Sequence, residues 1–100
     1  MSSRQAAAIG AVVFLSLHLP YQAASLEDLD SINFALGLRD FDVAEHQPHP
    51  PGYPLFIALA RGALAVTGSE TAALSLTSVL AGAVAVAALV ALYAALFPRR

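Results

Sequence analysis

The chain has no cysteine, so no disulfide framework or thiol nucleophile is available. Charge is scarce too: 12% of the 100 residues, against about 25% in a typical soluble domain. There is no basic patch, and the net charge of −2 is too small to argue for nucleic acid as a partner. The serines sit in no nucleophile-elbow motif, which leaves carboxylates and histidines as the available chemistry. What fills the space is hydrophobic: 58% of residues, with a mean hydropathy of +0.68. That balance places the chain among membrane proteins.

The few charges are sorted. The seven acids are Glu27, Asp28, Asp30, Asp40, Asp42, Glu45 and Glu70, all in the middle of the chain. Of the five arginines, Arg4, Arg99 and Arg100 lie at the two ends, beside apolar runs, while Arg39 and Arg61 lie between. By the positive-inside rule both termini are cytoplasmic and residues 26–70 extracytoplasmic, in an inner or plasma membrane. The predicted fold is an all-α membrane protein. Two transmembrane helices, 5–25 and 71–97, flank an outer loop carrying two short interfacial helices, 26–36 and 55–66.

Residues 5–25 carry no charge and are just long enough to span, since a crossing helix needs about 20 residues. Pro20 should kink the outer end, and Tyr21 suits the interfacial aromatic belt. His18 is either a headgroup-level histidine or a polar residue facing a cavity. Arg4, the apolar run and Gln22-Ala23-Ala24-Ser25 also have the form of a cleavable signal peptide, a second reading of this segment. Residues 71–97 are an uncharged run long enough to tilt, stopped by Pro98-Arg99-Arg100. Ser78 and Gly82 have a small-xxx-small spacing that favours helix packing.

In the loop, Ser25-Leu26-Glu27-Asp28 has the form of a capping box. Leu26, Leu29, Ile32 and Leu36 follow at helical spacing, and Gly37 can end the helix. On that helix Asp28 and Asp30 would lie about 200° apart, at roughly 100° per residue, and could not share a site. If the chain is still extended there, period two puts both on one face. Residues 39–45 read as an acidic connector. The stretch His46-Gln47-Pro48-His49-Pro50-Pro51-Gly52-Tyr53-Pro54-Leu55 is too rich in proline for helix or sheet. It should be polyproline-like through Pro51, with Gly52 allowing a positive φ or a close approach and Pro54 opening a helix. Residues 55–66 are too short to cross, and are interfacial, re-entrant or buried in a larger assembly. No cofactor is implied. The loop carboxylates and histidines leave a divalent metal open, with no diagnostic spacing. General-base work by a carboxylate is the chemistry that best suits these residues.

The order of these features resembles a known family. An apolar helix is followed by a loop acid in Asp30-Ser31-Ile32-Asn33-Phe34-Ala35-Leu36. Then come Gln47-Pro48-His49-Pro50-Pro51-Gly52-Tyr53-Pro54-Leu55, a short apolar helix and a second long one. This is similar to the amino-terminal portion of membrane glycosyltransferases of the GT-C fold, within them the protein O-mannosyltransferase and aminoarabinose-transferase-like branch. The resemblance implies sugar transfer from a polyprenyl-phosphate donor to a hydroxyl acceptor. It assigns to Asp30, with Asp28 as the alternative, the loop acid that activates the acceptor or organises the site. The family often shows adjacent acids here, and Leu29 separates these two. His49 and Tyr53 would shape the donor or acceptor pocket, and Pro50, Pro51 and Gly52 would set the turn. Family members thread the membrane many times, so the expectation is an amino-terminal portion inactive by itself. Two rivals are a two-span membrane protein without catalysis, acting as subunit or scaffold, and a single-span product left by signal cleavage.

Overall fold

The computed structural model describes residues 1–98, so Arg99 and Arg100 of the expected stop signal lie outside the described residues. Among the described residues every regular element is helical. α1 is Ser3–His18, followed by a 3₁₀ turn at Leu19–Tyr21; α2 is Leu29–Arg39, α3 is Pro54–Thr67 and α4 is Glu70–Leu96. They form two compact units, one from Met1–Tyr21 with the chain from Ser78 on, the other Gln22–Thr77.

In the first unit α1 opens on a capping box that sequence reading missed. The Ser2 hydroxyl accepts from the Gln5 amide at 3.1 Å, and the Ser2 amide donates to Gln5 Oε1 at 2.8 Å. Instead of running to residue 25, the α-helix ends after 16 residues. Pro20 has no N–H to give the Ser16 carbonyl, and the chain tightens into the 3₁₀ turn. His18 stacks on Phe14 with ring centroids 3.9 Å apart, and its Nδ1 lies 2.7 Å from the Phe14 carbonyl. Its Nδ1 thus has a partner inside its own helix. Phe14 lies over Gly82, whereas Ser78 stays exposed. Among the described residues α4 alone is long and apolar enough to cross a membrane. Its 27 residues measure about 40 Å against about 30 Å of hydrocarbon. Only 6% of its most apolar stretch is covered by protein, unlike the core helix of a soluble domain. α4 thus has the length, composition and exposure of a membrane-crossing helix.

The second unit is built around Leu38, Ile57, Ala60, Ala73 and Leu74, with Phe34, Ala35, Phe56 and Leu64 packed on them. α2 starts later than the predicted 26–36 because Asp28, not Ser25, is its cap. Asp28 accepts from the Ser31 amide at 2.8 Å and from the Ser31 hydroxyl at 2.6 Å. Ser25 donates instead to Glu27. Nor does Gly37 end the helix; α2 continues to Arg39. Of the apolar stripe, Leu29, Ile32 and Leu36 are exposed, while Leu26 packs on the core together with Phe34, Ala35 and Leu38. α3 has Pro54 in its first turn and ends at Gly68 in the left-handed region. Its one charged residue, Arg61, reaches across to α2, donating from Nε to the Leu38 carbonyl at 3.1 Å and from Nη2 to that of Gly37 at 3.4 Å. These carbonyls belong to the last turn of α2, which has no partners of its own for them. Arg39 pairs with Glu70 and ties the end of α2 to the start of α4.

Candidate functional site

The site grows from the turn between α2 and α3. Asp42 and Gln47 form an isolated antiparallel bridge, with N–H···O distances of 3.0 and 2.8 Å. The Asp42 carboxylate also accepts from the amides of Ala44 and Glu45 at 3.0 and 3.3 Å. This acid closes a turn within the acidic connector through its own side chain. The polyproline-like path predicted through Pro51 is not followed. The peptide bonds Gln47–Pro48 and Pro50–Pro51 are cis, His46 has φ 57°, and the Gly52 amide donates to the His49 carbonyl at 2.9 Å. The chain folds back on itself instead of extending.

Two glycines let this turn seat. Gly52 has φ 92°, and a Cβ there would lie 2.6 Å from Val43 Cγ2. A Cβ on Gly37 would lie 2.9 Å from both the Gln47 carbonyl oxygen and Pro48 Cδ. The missing side chain of Gly37 is the space into which Pro48 packs, and Pro48 is the largest fully buried side chain. The glycine that looked like a helix terminator is a docking point within the helix.

With Pro48 seated, the next residue faces α2. His49 Nδ1 lies 3.6 Å from Asp30 Oδ1. That is an ion-pair distance but too long for a hydrogen bond, and Nδ1 is buried with no other polar partner. Phe34, one helical turn after Asp30, meets the His49 ring edge-on with centroids 5.8 Å apart. It also touches Tyr53 at 5.3 Å and Phe56 at 5.6 Å, and His49 and Tyr53 pack at 5.5 Å. Tyr53 is held at φ 48° as the residue before α3. The result is an imidazole fixed by aromatic rings on one side and facing a carboxylate on the other. Asp30 is 71% exposed and His49 32%, so the pair is open to a ligand.

The structure separates the two candidate acids. Asp28 is spent on capping: the Ser31 hydroxyl and then the Ser31 amide hold its carboxyl below the ordinary range, which makes it the poorer base. Its backbone is extended while Asp30 is already helical, and only Asp30 is paired with His49. Of the predicted residues, the turn thus joins Asp30, His49 and Tyr53, and leaves Asp28 at the helix start. Sequence reasoning missed Phe34, Gly37 and Arg61 as parts of the site and its support. Phe34 had a visible signal, a turn of helix from Asp30, and Arg61 had one as a lone charge in an apolar helix. Among the described residues no three carboxylate, imidazole or thiol groups gather as a metal-ligand set. Asp30 and His49 offer two donors only.

Compared with family models, curated proteins and solved structures, the chain matches none of them.

Proposed function

We propose that this chain is the amino-terminal part of a polyprenyl-phosphate-sugar-dependent glycosyltransferase, with the turn and α2 contributing the acceptor side of its site. The observation that carries this reading is the seating of His49 against Asp30. The two residues stand 19 positions apart in sequence, and an aromatic cluster, a glycine docking point and a buried proline are all spent on bringing them together. A connector with no task has no use for a fixed imidazole beside a carboxylate. The acid activates the acceptor hydroxyl or organises the groups that do, and the aromatic rings of Phe34 and Tyr53 offer faces against which a ring-shaped substrate can pack.

The membrane placement belongs to the same proposal. α1 is shorter than a crossing helix by itself, but with its 3₁₀ turn it measures about 30 Å, which supports a first span beside α4, with both termini cytoplasmic and residues 26–70 outside. α2 and α3 lie at the membrane surface. Leu29, Ile32 and Leu36 on α2, and Leu55, Leu59 and Val66 on α3, form exposed apolar stripes on helices whose other faces already meet the core.

The test places substitutions in the chromosomal gene and assays sugar transfer from a polyprenyl-phosphate sugar in isolated membranes. Deleting the gene should remove the transfer. D30N should abolish it at unchanged protein level, while D28N, which keeps a capping side chain, should leave it. Transfer that survives both gene deletion and D30N would leave the non-catalytic scaffold reading in its place.

A further inference from the structure

We propose that the group taking the acceptor proton is His49, through Nε2, and that Asp30 acts as the positioning residue of an Asp30–His49 dyad. This rests on the reading above and changes who does the chemistry within it. The geometry is the argument. Nδ1 is the ring nitrogen that faces Asp30, at 3.6 Å, and it is buried with no other polar partner. Nδ1 is covered while the side chain as a whole is 32% exposed, so what a ligand reaches is an atom other than Nδ1. A neutral imidazole whose Nδ1–H faces a carboxylate carries its lone pair on Nε2. The carboxylate fixes that tautomer and stabilises the imidazolium once a proton arrives, as the acid does in hydrolase triads. A movement of less than 1 Å brings Nδ1 and Oδ1 into hydrogen-bond range, and such bonds often tighten only when substrate binds.

The aromatic packing supports the assignment. Phe34 edge-on at 5.8 Å and Tyr53 at 5.5 Å restrict the ring's rotation, which a general base needs and a pocket-lining residue does not. Asp30 as the base itself would call for no such fixation of His49. The step balances without a further reagent. The acceptor O–H bond breaks as its proton passes to Nε2. The oxygen forms a bond to the anomeric carbon, the bond from that carbon to the phosphate oxygen of the donor breaks, and the electron pair leaves with the phosphate. The imidazolium then returns its proton to solvent.

The first measurement needs no activity. The whole gene product, labelled with ¹⁵N-histidine in lipid nanodiscs, is examined by long-range ¹H–¹⁵N correlation, with H49Q identifying the His49 signal. His49 should be the Nδ1–H tautomer, and D30N should remove that preference while circular dichroism keeps its helix content. An Nε2–H tautomer, or a tautomer that D30N does not move, overturns the dyad. The second is sugar transfer in membranes. H49A should lower turnover by about 10²- to 10⁴-fold, the usual worth of a general base, and added imidazole should restore part of it. H49Q at full turnover with D30N inactive would make Asp30 the base and overturn the proposal. Absence of transfer in membranes that carry the whole unaltered gene product refutes the glycosyltransferase reading, and the tautomer then decides the dyad by itself.

Discussion

The contact between Gly37 and the proline turn can be tested by a single methyl group. Gly37 lies inside α2, where alanine is intrinsically favoured over glycine by about 1 kcal/mol. A Cβ there lands 2.9 Å from the Gln47 oxygen and from Pro48 Cδ, about half an ångström inside ordinary contact. Neither neighbour is the free end of a flexible side chain. One is backbone in the Asp42–Gln47 bridge, and the other belongs to a fully buried proline ring. The turn must therefore move as a body, and overpacking of this kind costs typically 1–3 kcal/mol. Set against the propensity gain, G37A should come out destabilising by about 0–2 kcal/mol. The control is Gly62, inside α3, where an added methyl would meet nothing within 4 Å. G62A should be stabilising by about 0.5–1 kcal/mol. Denaturant unfolding in one detergent gives both values. Amide exchange gives the location: G37A should speed exchange at Asp42 and Gln47, whose amides form the bridge, and G62A should not. If G37A proves as stabilising as G62A, with the bridge amides still protected, Pro48 is not seated on Gly37 and the account of how His49 reaches Asp30 fails.

Three further outcomes concern the ends of α2 and the surface of α4. R61M removes both donors to the Leu38 and Gly37 carbonyls while keeping much of the stem, and should cost about 1–3 kcal/mol by leaving part-buried acceptors unpaired, read by unfolding in detergent. Asp28 has a lowered folded-state pKa, so the stability it gives is present above its ordinary value of 3.8 and is lost as pH falls through the folded-state value. Protection of the first-turn amides of α2, Ser31 above all, should fall as the pH drops below about 4, and in D28N it should show no such dependence. V84R puts a charge on an exposed face of α4 and should cost about 2.5–3.5 kcal/mol of insertion if that face meets lipid, seen as loss of the carbonate-resistant membrane fraction.

The helical character, and one helix long and apolar enough to cross a membrane, were legible because they rest on composition and on long uncharged runs, which do not depend on what packs against what. The extent of α4 and α3 followed from the same runs, bounded by Gly68 and by Pro54. The faces of α2 were not legible. Leu29, Ile32 and Leu36 have the spacing of a core stripe, and in a soluble protein that spacing would point inward. Here the outward face is apolar as well, so periodicity alone cannot say which side is the core. The cap was misplaced for a related reason. Ser25 and Asp28 are both good caps, and the choice between them turns on Ser31, whose amide and hydroxyl both bond to Asp28.

The proline turn is where sequence reasoning came closest to the site and failed on its geometry. Proline density correctly excluded helix and strand, but the extended path expected of residues before proline is not taken, because the Asp42–Gln47 bridge and the Gly52 to His49 hydrogen bond fold the chain back. The consequence is functional. An extended 46–51 would carry His49 away from α2, and Asp30 would be one exposed acid among several. The folded turn selects one acid from seven and one histidine from three, and it does so with groups that carry no chemistry of their own. Gly37 supplies the space, Pro48 fills it, Arg61 holds the end of the helix that bears it, and Phe34 fixes the ring. Substitutions at these four positions should therefore disturb the Asp30–His49 pairing without removing either member. That makes the tautomer of His49 a readout of the scaffold as well as of the dyad.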